Sequence, residues 1–458
     1  MSIFPRRHLL KLYQQFAGRK ILARFDELDR TQWLGREALL SLQREKLRRL
    51  VSYAYRYVPY YHRVFDEAGF NPEDLRKNLD SFRKIPVVTK RYMRDHTEEF
   101  LTTDPTLREH LHTHTTSGST GEPFTFWEDT NYRDYVTAGI LRHLTWCGWK
   151  LGEPHAYLWG QHMERSVLER TRTSLMDFVL NRFVTNAYVL SEESLAALAA
   201  RIRSYHPKLL FGYATALDVF ARFVQERGID DLQLAAVYSA GEVLYPQMRE
   251  RIEAALKCQV FDRYGTLEIG GIACECEAHT GLHLSVENCY VEIMNDGELA
   301  GPGESGEMVV TNLNNYGFPF IRYRLADRIT LSDWHTCPCG RQSPMLAKVD
   351  GRTVDVFKTS DGRSVWGDLE GTIFQVQGIK QSQVIQRALD LVVVRIVRDG
   401  DFEPVSLTRI ERIVKKMMGD ATRVQFEFPD VIEPLRSGKY RYAYSELCES
   451  PSVQERKS

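Results

Sequence analysis

The 458-residue sequence has almost no net charge and no long apolar run. Its 60 basic and 61 acidic residues nearly cancel, so charge gives no argument for binding nucleic acid or an anionic membrane. No apolar stretch approaches the roughly 20 residues that a membrane-spanning helix needs. The basic residues near the N-terminus are not followed by the apolar core of a signal peptide. We therefore expect a cytoplasmic protein with no membrane span and no nucleic-acid partner.

Cysteine is also scarce, with eight residues in a chain long enough for two or three domains. Without a secretion signal, so few cysteines argue against a disulfide framework. The apolar and charged fractions, 43% and 26%, are those of an ordinary globular protein. No residue pattern sets the oligomeric state, so the sequence does not decide between a monomer and a dimer.

The hydrophobic periodicity changes along the chain and predicts two domains. Residues from about 8 to 110 show helical spacing, and from 113 short apolar runs alternate with helical segments. That alternation predicts a mostly parallel α/β sheet. After 290, short strands joined by turns predict a β-rich subdomain, followed by a smaller α+β unit. The expected fold is α/β, with a large N-terminal domain over 1–350 and a small mobile C-terminal domain over 351–458.

The most informative segment is the hydroxyl-rich run Thr115-Thr116-Ser117-Gly118-Ser119-Thr120-Gly121-Glu122-Pro123. Five hydroxyls and two glycines suit a loop that wraps a polyphosphate, because glycines let backbone N–H groups approach the oxygens. The run is not a Walker A motif, because Glu122 stands where that motif has lysine. Taken alone, it could equally be a polar surface linker.

Five further segments follow in order: Ser239–Glu242, Tyr264–Glu268, Arg322–Asp327, Gly351–Arg352 and Pro434–Lys439. With the loop, their order and spacing resemble the adenylate-forming superfamily of acyl-CoA synthetases, peptide-synthetase adenylation domains and luciferases. The resemblance is greatest to the phenylacetate-CoA ligase branch and the CapK-like capsule-biosynthesis proteins, and it covers nearly the whole chain. It implies that a small carboxylic acid attacks the α-phosphate of ATP, giving an acyl-AMP and pyrophosphate. Transfer to CoA or to another thiol, amine or hydroxyl acceptor would follow.

The resemblance also implies a role for each segment. The residues that would bind ATP or AMP are Thr116, Ser117, Gly118, Ser119, Thr120 and Gly121 at the β- and γ-phosphates, Ser239, Ala240, Gly241, Glu242, Tyr264 and Gly265 at adenine, and Asp327 and Arg352 at the ribose. Thr266 would contact the α-phosphate, and Glu268 would hold Mg²⁺, which prefers hard oxygen ligands. Lys439 would act on the α-phosphate and the carboxylate from the C-terminal domain. Alone, each residue has a plain alternative, such as a core aromatic for Tyr264 or a solvated lysine for Lys439.

Two departures from the family pattern concern charge. Glu122 stands where many relatives carry a lysine that contacts phosphate. After Arg352, relatives usually carry an acidic hinge, whereas Val354 takes the place of the first acid here. The hinge role would then pass to Asp350 or Asp355. The change at the hinge concerns the thioester-forming half-reaction more than the adenylation.

Cysteine and histidine group at a second place in the sequence. Cys274-Glu275-Cys276 is followed by His279 and His283, and later by Cys337-Pro338-Cys339. Thiolates and imidazole, four in number, are typical of a closed structural zinc site. The expected zinc ligands, which match positions in related ligases, are Cys276, His283, Cys337 and Cys339, with Cys274 and His279 as substitutes. Scattered reduced cysteines are the alternative, since cysteine is often buried.

An aromatic segment suggests where the acid would bind. Trp146, Trp149 and Trp159, with Tyr213 nearby, fit a pocket for an aryl or flat acid, although such residues as often belong to a core. The leading hypothesis is an AMP-forming, acid–thiol ligase-like enzyme. One alternative is nucleotidyl transfer to a phenol or sugar-type acceptor in cofactor or capsular polysaccharide biosynthesis. Another is an inactive homologue that serves as a binding module.

Overall fold

A computed structural model describes most of the chain. The described residues are 3–76, 78–116, 124–160, 174–187, 190–295, 297–332, 337–352, 357–361, 364–365, 373, 376, 378–398, 400, 402–433 and 443–448. By its internal contacts the chain divides into two compact units. The first comprises Met1–Leu244, Arg249–Leu325 and Thr330–Lys348, and the second comprises Tyr245–Met248, Ala326–Ile329 and Val349–Ser458. The assignment of 1–350 and 351–458 to separate domains stays a prediction.

Helices dominate the start of the first unit, as the periodicity predicts. They are α1 (Ile3–Ala17), α2 (Ile21–Thr31), α3 (Arg36–Tyr57), α4 (Pro59–Glu67), α5 (Lys90–Asp95), α6 (Thr97–Phe100) and α7 (Pro105–Arg108), with 3₁₀ turns at Pro72–Arg76 and Leu79–Lys84. In α3, Leu39, Leu47 and Leu50 are buried, which is the apolar stripe that a helix period of 3.6 residues places on one face. None of the described helices combines the length and apolar character that crossing a bilayer requires.

A hairpin follows and brackets the predicted phosphate loop. Strand β1 (His112–Thr116) pairs antiparallel with β2 (Phe124–Glu128), with Thr116 opposite Phe124. The Oγ1 atoms of Thr115 and Thr125 lie 3.1 Å apart across the pair. Phe124 and Phe126 are fully buried, so one face of the hairpin is anchored in the protein.

A twelve-stranded sheet forms the centre of the chain. Its other elements, in chain order, are α8 (Thr130–Trp146), β3 (His155–Trp159), β4 (Arg182–Asn186), α9 (Glu192–Tyr205), β5 (Leu209–Gly212), α10 (Ala214–Glu226), β6 (Ala236–Ala240), α11 (Pro246–Leu256), β7 (Gln259–Thr266), β8 (Gly270–Glu275), β9 (Leu282–Leu284), β10 (Cys289–Asn295), β11 (Glu298–Leu299), β12 (Ser305–Asn312), β13 (Tyr323–Leu331) and β14 (Met345–Arg352). The strand order is β11-β10-β12-β13-β14-β9-β8-β7-β6-β5-β3-β4.

Strand direction changes in the middle of this sheet. Neighbours from β4 to β7 are parallel, and β7, β8, β9 and β14 pair antiparallel in turn. The parallel part alternates with helices, and every residue of β5 and β6 is buried, as expected for strands covered on both faces. The predicted α/β fold, with a mostly parallel sheet and a β-rich part, is confirmed.

Helix α8 covers one face of the parallel strands. Its Leu141 and Leu144 belong to the same buried cluster as Phe211, Tyr238 and Phe261 from three adjacent strands. Those three strand residues are in register with one another, so their side chains form a row on the face toward α8. Because this row packs against α8, it fixes the position of the residues that follow in β6 and β7, where the candidate site lies.

The second unit has its own small sheet. Its elements are β15 (Phe357–Lys358), β16 (Ser364–Val365), β17 (Ile379–Ala388), β18 (Leu391–Arg398), α12 (Val405–Met418), β19 (Arg423–Glu427), β20 (Ala443–Ser445) and a 3₁₀ turn at Glu446–Cys448. The four-stranded order is β19-β18-β17-β20. Ile410 and Val414 of α12 share a buried core with Val384, Val392 and Val394 of the sheet. The α+β character predicted for this region is therefore present.

Candidate nucleotide and acid site

Two predicted segments end neighbouring parallel strands. Ser239 and Ala240 close β6, and they pair with Asp262 and Arg263 of β7. Tyr264 follows directly, so the two segments meet at the carboxyl edge of the sheet. In open α/β sheets, this edge is where ligands bind.

Gly241 turns the chain against an aromatic stack at this edge. Its φ is +84°, and a Cβ there would lie 3.0 Å from the Tyr213 ring and 3.4 Å from Trp159. The rings of Trp159 and Tyr213 stack with centroids 4.0 Å apart. Only glycine combines this backbone conformation with so close an approach. The segment Ser239–Glu242 therefore has a wall of aromatic side chains beside it.

The side chain of Glu242 has a structural partner. Its Oε2 accepts a hydrogen bond of 2.9 Å from the backbone N–H of Thr215, in the first turn of α10. A carboxylate at a helix N-terminus satisfies a free N–H and interacts favourably with the helix dipole. The carboxylate of Glu242 thus holds α10 against the segment predicted to face adenine.

The second segment is shaped by a tight approach of β7 and β8. The register slips between Tyr264 and Gly265, and a Cβ on Gly265 would lie 2.2 Å from the carbonyl oxygen of Gly270. Thr266 then accepts a hydrogen bond of 3.2 Å at Oγ1 from the N–H of Ile269. The turn after β7 is therefore fixed, with Tyr264 half-buried next to it.

Glu268 has a cationic partner that sequence reasoning missed. Its side chain is 8% exposed, and Oε1 lies 3.1 Å from Nζ of Lys90. Lys90 is the first residue of α5, whose N-cap Thr89 accepts a bond from the N–H of Tyr92. Since Lys90 and Glu268 lie far apart in sequence, no spacing rule could have paired them.

Lys90 also lies beside the phosphate-loop hairpin. Its Nζ is 5.5 Å from the ring centroid of Phe124, the first residue of β2 after the loop. Ser117, Gly118, Ser119, Thr120 and Gly121 lie outside the described residues, as does the side chain of Thr116. The described part of the hairpin thus brings one end of the loop close to Lys90, and through it to Glu268.

The remaining predicted nucleotide residues lie in or near the second unit. Asp327 is in β13, next to Ala326, whose φ is +58°. Arg352 is the last residue of β14, and its side chain lies outside the described residues. Lys439, Val354 and Asp355 also lie outside them. Their roles stay predictions.

The aromatic residues proposed for the acid pocket divide into two groups. Trp146 and Trp149 are buried in the core, and each indole N–H donates within it, to Gln32 Oε1 at 2.6 Å and to the carbonyl of Glu153 at 2.8 Å. These two tryptophans therefore belong to the core and not to an acid pocket, which is the alternative that the sequence left open for them. Trp159 and Tyr213 lie at the carboxyl edge instead, because Trp159 is the last residue of β3 and Tyr213 directly follows β5.

The four predicted zinc ligands come together in the first unit. The ligand atoms of Cys276, His283, Cys337 and Cys339 all lie within 4.8 Å of one another. Sγ of Cys276 is 3.5 Å from Sγ of Cys337, and Sγ of Cys339 is 3.3 Å from Nε2 of His283. A tetrahedral zinc with Zn–S bonds of about 2.3 Å has sulfur–sulfur edges of about 3.8 Å. The cluster therefore has the size of a zinc site.

Neighbouring groups orient these ligands. Nδ1 of His283 is 3.0 Å from Oγ of Ser343, which directs Nε2 toward the thiols, as outer-shell partners of metal ligands do. Burial lowers the pKa of His283 to about 4, so the imidazole is neutral and can bind a metal. The two substitutes have other partners: Cys274 is 3.6 Å from the Tyr238 hydroxyl, and Nδ1 of His279 is 3.2 Å from Glu275.

Sequence comparisons confirm the resemblance that the motifs predict. A family model described as the CapK C-terminal domain matches residues 357–446. A phenylacetate-coenzyme A ligase of Thermus thermophilus is 28% identical over 333 residues, which are 71% of this chain and 72% of that protein. The protein CapK of Staphylococcus aureus is 22% identical over 405 residues, 86% of this chain and 88% of that protein.

Solved structures show the same fold. A 2-hydroxyisobutyryl-CoA ligase in the postadenylation state, in complex with 2-HIB-AMP, matches with a TM-score of 0.73 and 20% identity, covering 91% of this chain and 92% of that one. An anthranilate CoA ligase in complex with anthranoyl-AMP matches with a TM-score of 0.53 and 16% identity, covering 73% and 66%. The chain therefore has the fold of adenylate-forming CoA ligases.

Proposed function

We propose that this protein activates a carboxylic acid with ATP, forms an acyl-AMP with release of pyrophosphate, and passes the acyl group to CoA or another acceptor. One observation carries the proposal. Ser239 to Gly241 and Tyr264 to Thr266 converge at the carboxyl edge of adjacent parallel strands, with Glu268 directly after them. Acyl-AMP complexes of structurally similar ligases support it.

The described residues suit the requirements of adenylation. Two anions must meet, so the site must bind the triphosphate and oppose its charge. Tyr264 would stack on adenine, and Thr266 would contact the α-phosphate. Glu268 would hold Mg²⁺, whose charge, when bound, stabilises the phosphate oxygens. Lys90 pairs with the buried Glu268 carboxylate at 3.1 Å and orients it before the metal binds.

The remaining assignments complete the proposal. Asp327 and Arg352 would bind the ribose, and the loop Thr116–Gly121 would bind the β- and γ-phosphates. Lys439 would supply the positive charge at the α-phosphate during adenylation. CoA is one candidate acceptor, and a hydroxyl or amine of a sugar-type acceptor is the other.

We also propose that Cys276, His283, Cys337 and Cys339 hold one structural zinc. The distances among their ligand atoms, the buried surroundings and the neutral His283 support this proposal. Backbone N–H groups of Ala278 and Arg341 each lie 3.4 Å from a cluster sulfur, which stabilises thiolate charge. The site is closed by four protein ligands, so its role would be to join the strand β9 to the segments around it rather than to take part in the reaction.

Pyrophosphate release from ATP over a panel of carboxylic acids, with and without CoA, tests the function directly. The expected result is acid-dependent pyrophosphate release, followed by AMP when an acceptor is added. Nucleotidyl transfer would instead leave AMP attached to the product, which mass spectrometry distinguishes. Nucleotide binding without any pyrophosphate release, for every acid and acceptor, would favour the binding-module alternative.

A further inference from the structure

Arg263 lies on the other face of the strand that carries Tyr264. It is in register with Ala240 of β6 and Cys274 of β8. Successive strand residues point to opposite faces, so its guanidinium extends toward α8 while Asp262 and Tyr264 extend away. A Cβ on Gly271 would lie 2.9 Å from Nη2 of Arg263 and 3.4 Å from Cε1 of His143 in α8. The guanidinium therefore lies in the space between β8 and α8.

This guanidinium has no counter-ion among the described residues. Its Nε is buried without a hydrogen-bond partner, and no ion pair or side-chain hydrogen bond of Arg263 occurs there. The Nε atoms of Arg24 and Arg142 are also unpartnered, but each of these arginines has a carboxylate at Nη1, at 3.0 Å and 2.9 Å. Arg263 differs from them in lacking any such carboxylate.

Three acids in this region are bound to other cations, and the adjacent Asp262 extends to the opposite face of the strand. Glu275 accepts two bonds from Arg249, at 2.8 and 2.9 Å, and Glu287 pairs with Arg142 at 2.9 Å. Glu268 pairs with Lys90. None of these carboxylates is thus available to neutralise Arg263.

The other groups on this face are neutral. Burial raises the pKa of the Tyr157 and Tyr238 phenols, so neither carries negative charge near neutral pH. Burial lowers the pKa of His143 well below its usual range, and its Nδ1 is buried without a partner among the described residues. Arg263 is only partly buried, but its Nε is shielded from solvent, so a charge-assisted hydrogen bond from an anion would satisfy it. In the part of the chain that the structure describes, the Arg263 guanidinium and Nδ1 of His143 thus lie in the same region without a partner for either Nε or Nδ1.

We propose that Arg263 binds a second anionic group of the acid substrate, a carboxylate or phosphate at the far end of the acyl chain, with His143 beside it. The inference rests on the proposed function, since it concerns the acid half of the same site. The reacting carboxylate must reach the α-phosphate near Thr266. Arg263 is three residues earlier in the strand, which is about 10 Å at the usual rise per residue. It therefore recognises the end of the substrate that does not react.

Glycine makes the site possible. Gly270 and Gly271 open β8 where it faces α8, and a side chain at Gly270 would meet Val136 at 3.0 Å. A Cβ on Gly271 would first meet atoms of the Arg263 guanidinium. A methyl group at Gly271 would consequently press on Arg263 without removing its charge.

Matched acids test this specificity. Pyrophosphate release is measured with straight-chain dicarboxylates, with phosphonocarboxylates of equal length, and with the corresponding monocarboxylates. We expect wild-type protein to prefer the doubly anionic acids, and Arg263→Met to lose that preference by about tenfold to a hundredfold in kcat/KM, as for the loss of a hydrogen bond to a charged group. Arg263→Lys should keep part of it. Comparing the carboxylate and phosphonate series identifies which anion is bound.

The outcomes separate the two proposals. Wild-type activity that is equal for mono- and dianionic acids, or an Arg263→Met loss that is equal for all of them, overturns the second-anion site and leaves adenylation standing. Absence of pyrophosphate release with every acid overturns adenylation. In that case, thermal denaturation of the full chain with a dicarboxylate still decides the site: stabilisation lost in Arg263→Met supports it, and no stabilisation overturns it.

A second variant guards against a folding defect in Arg263→Met. Gly271→Ala retains Arg263 but should weaken the same preference in the same direction. A normal melting temperature with unchanged ATP affinity shows that the variant is folded. If folded Gly271→Ala keeps the full preference for dianionic acids, the site between β8 and α8 is not where the second anion binds.

Discussion

Nζ of Lys90 lies 3.1 Å from Oε1 of the buried Glu268, across 178 residues of sequence. The pair joins the start of α5 to the turn after β7, and Lys90 also lies near Phe124 at the end of the phosphate loop. A cation therefore lies beside the proposed metal ligand, in a chain whose loop has Glu122 where the family resemblance leads us to expect a lysine. We infer that Lys90 supplies positive charge that the loop itself lacks.

Replacing Lys90 with Met should slow acyl-adenylate formation by about a hundredfold, since one oriented donor contributes roughly 3 kcal/mol to such transition states. Raised Mg²⁺ should restore part of the rate, because the metal can neutralise the Glu268 carboxylate that has lost its cationic partner. ATP–pyrophosphate exchange measures the effect. Lys84→Met, at an exposed lysine in the turn before α5, is the control and should exchange normally. Equal rates in both variants would remove Lys90 from the site.

In the loop, the double variant Ser117→Ala, Thr120→Ala should weaken ATP use while leaving the fold intact. Loop hydroxyls would contact ligand rather than core, so the expected loss is about 3 kcal/mol per donor in the transition state. Pyrophosphate exchange and a melting curve measure the two effects. The control is Thr115→Ala, whose hydroxyl bonds across the hairpin to Thr125. Unchanged exchange in the double variant would contradict the assignment.

Purified protein should contain one zinc per chain. A chelator should lower the melting temperature more than it lowers activity at a fixed temperature, because four protein ligands close the site. Cys339→Ser should lose the metal and much of the stability, whereas Cys258→Ser, at a cysteine outside the cluster, should retain both. Elemental analysis measures the metal. A zinc-free wild-type protein of normal stability would show that the cluster is only a group of reduced thiols.

Lys439→Ala should separate the two half-reactions. The ammonium is needed where charge develops at the α-phosphate, so acyl-adenylate formation should fall by several orders of magnitude. Transfer from a pre-made acyl-adenylate to CoA should be nearly unchanged, because that step no longer involves pyrophosphate departure. Single-turnover assays of each step measure the difference. Equal slowing of both steps, or of neither, would argue for another residue.

Stability should fall with rising pH because of Glu128. Burial raises its pKa to about 7 from an ordinary value of 4.5, so the folded protein binds a proton that the unfolded chain has released. Between these two values the free energy of unfolding should therefore decrease as pH rises, by roughly 1 to 3 kcal/mol in total. Glu128→Gln should flatten this dependence in denaturant titrations from pH 4 to 8. An identical pH profile in the variant would place the effect on another group.

The sequence by itself determined the features that depend on residues close together. Helical spacing predicted α3, alternation of strands and helices predicted the parallel sheet, and the Cys-x-Cys and histidine pattern predicted four side chains that the fold brings within 4.8 Å. The helix and sheet follow from local geometry, because periodicity records which face of an element is buried. The four ligands followed from ligand chemistry and from the resemblance to related ligases. The apolar runs Ala235–Ser239 and Gln259–Gly265 likewise predicted the strands β6 (Ala236–Ala240) and β7 (Gln259–Thr266).

Only the tertiary structure decided what each polar or aromatic side chain meets. It paired Lys90 with Glu268, placed the Glu242 carboxylate in a hydrogen bond with the N-terminus of α10, and buried Trp146 in the core. It also left Arg263 without a carboxylate among the described residues. The physical reason is that ion pairing and burial depend on approach through space between segments that are distant in the chain, and the local pattern around a residue carries no record of that approach.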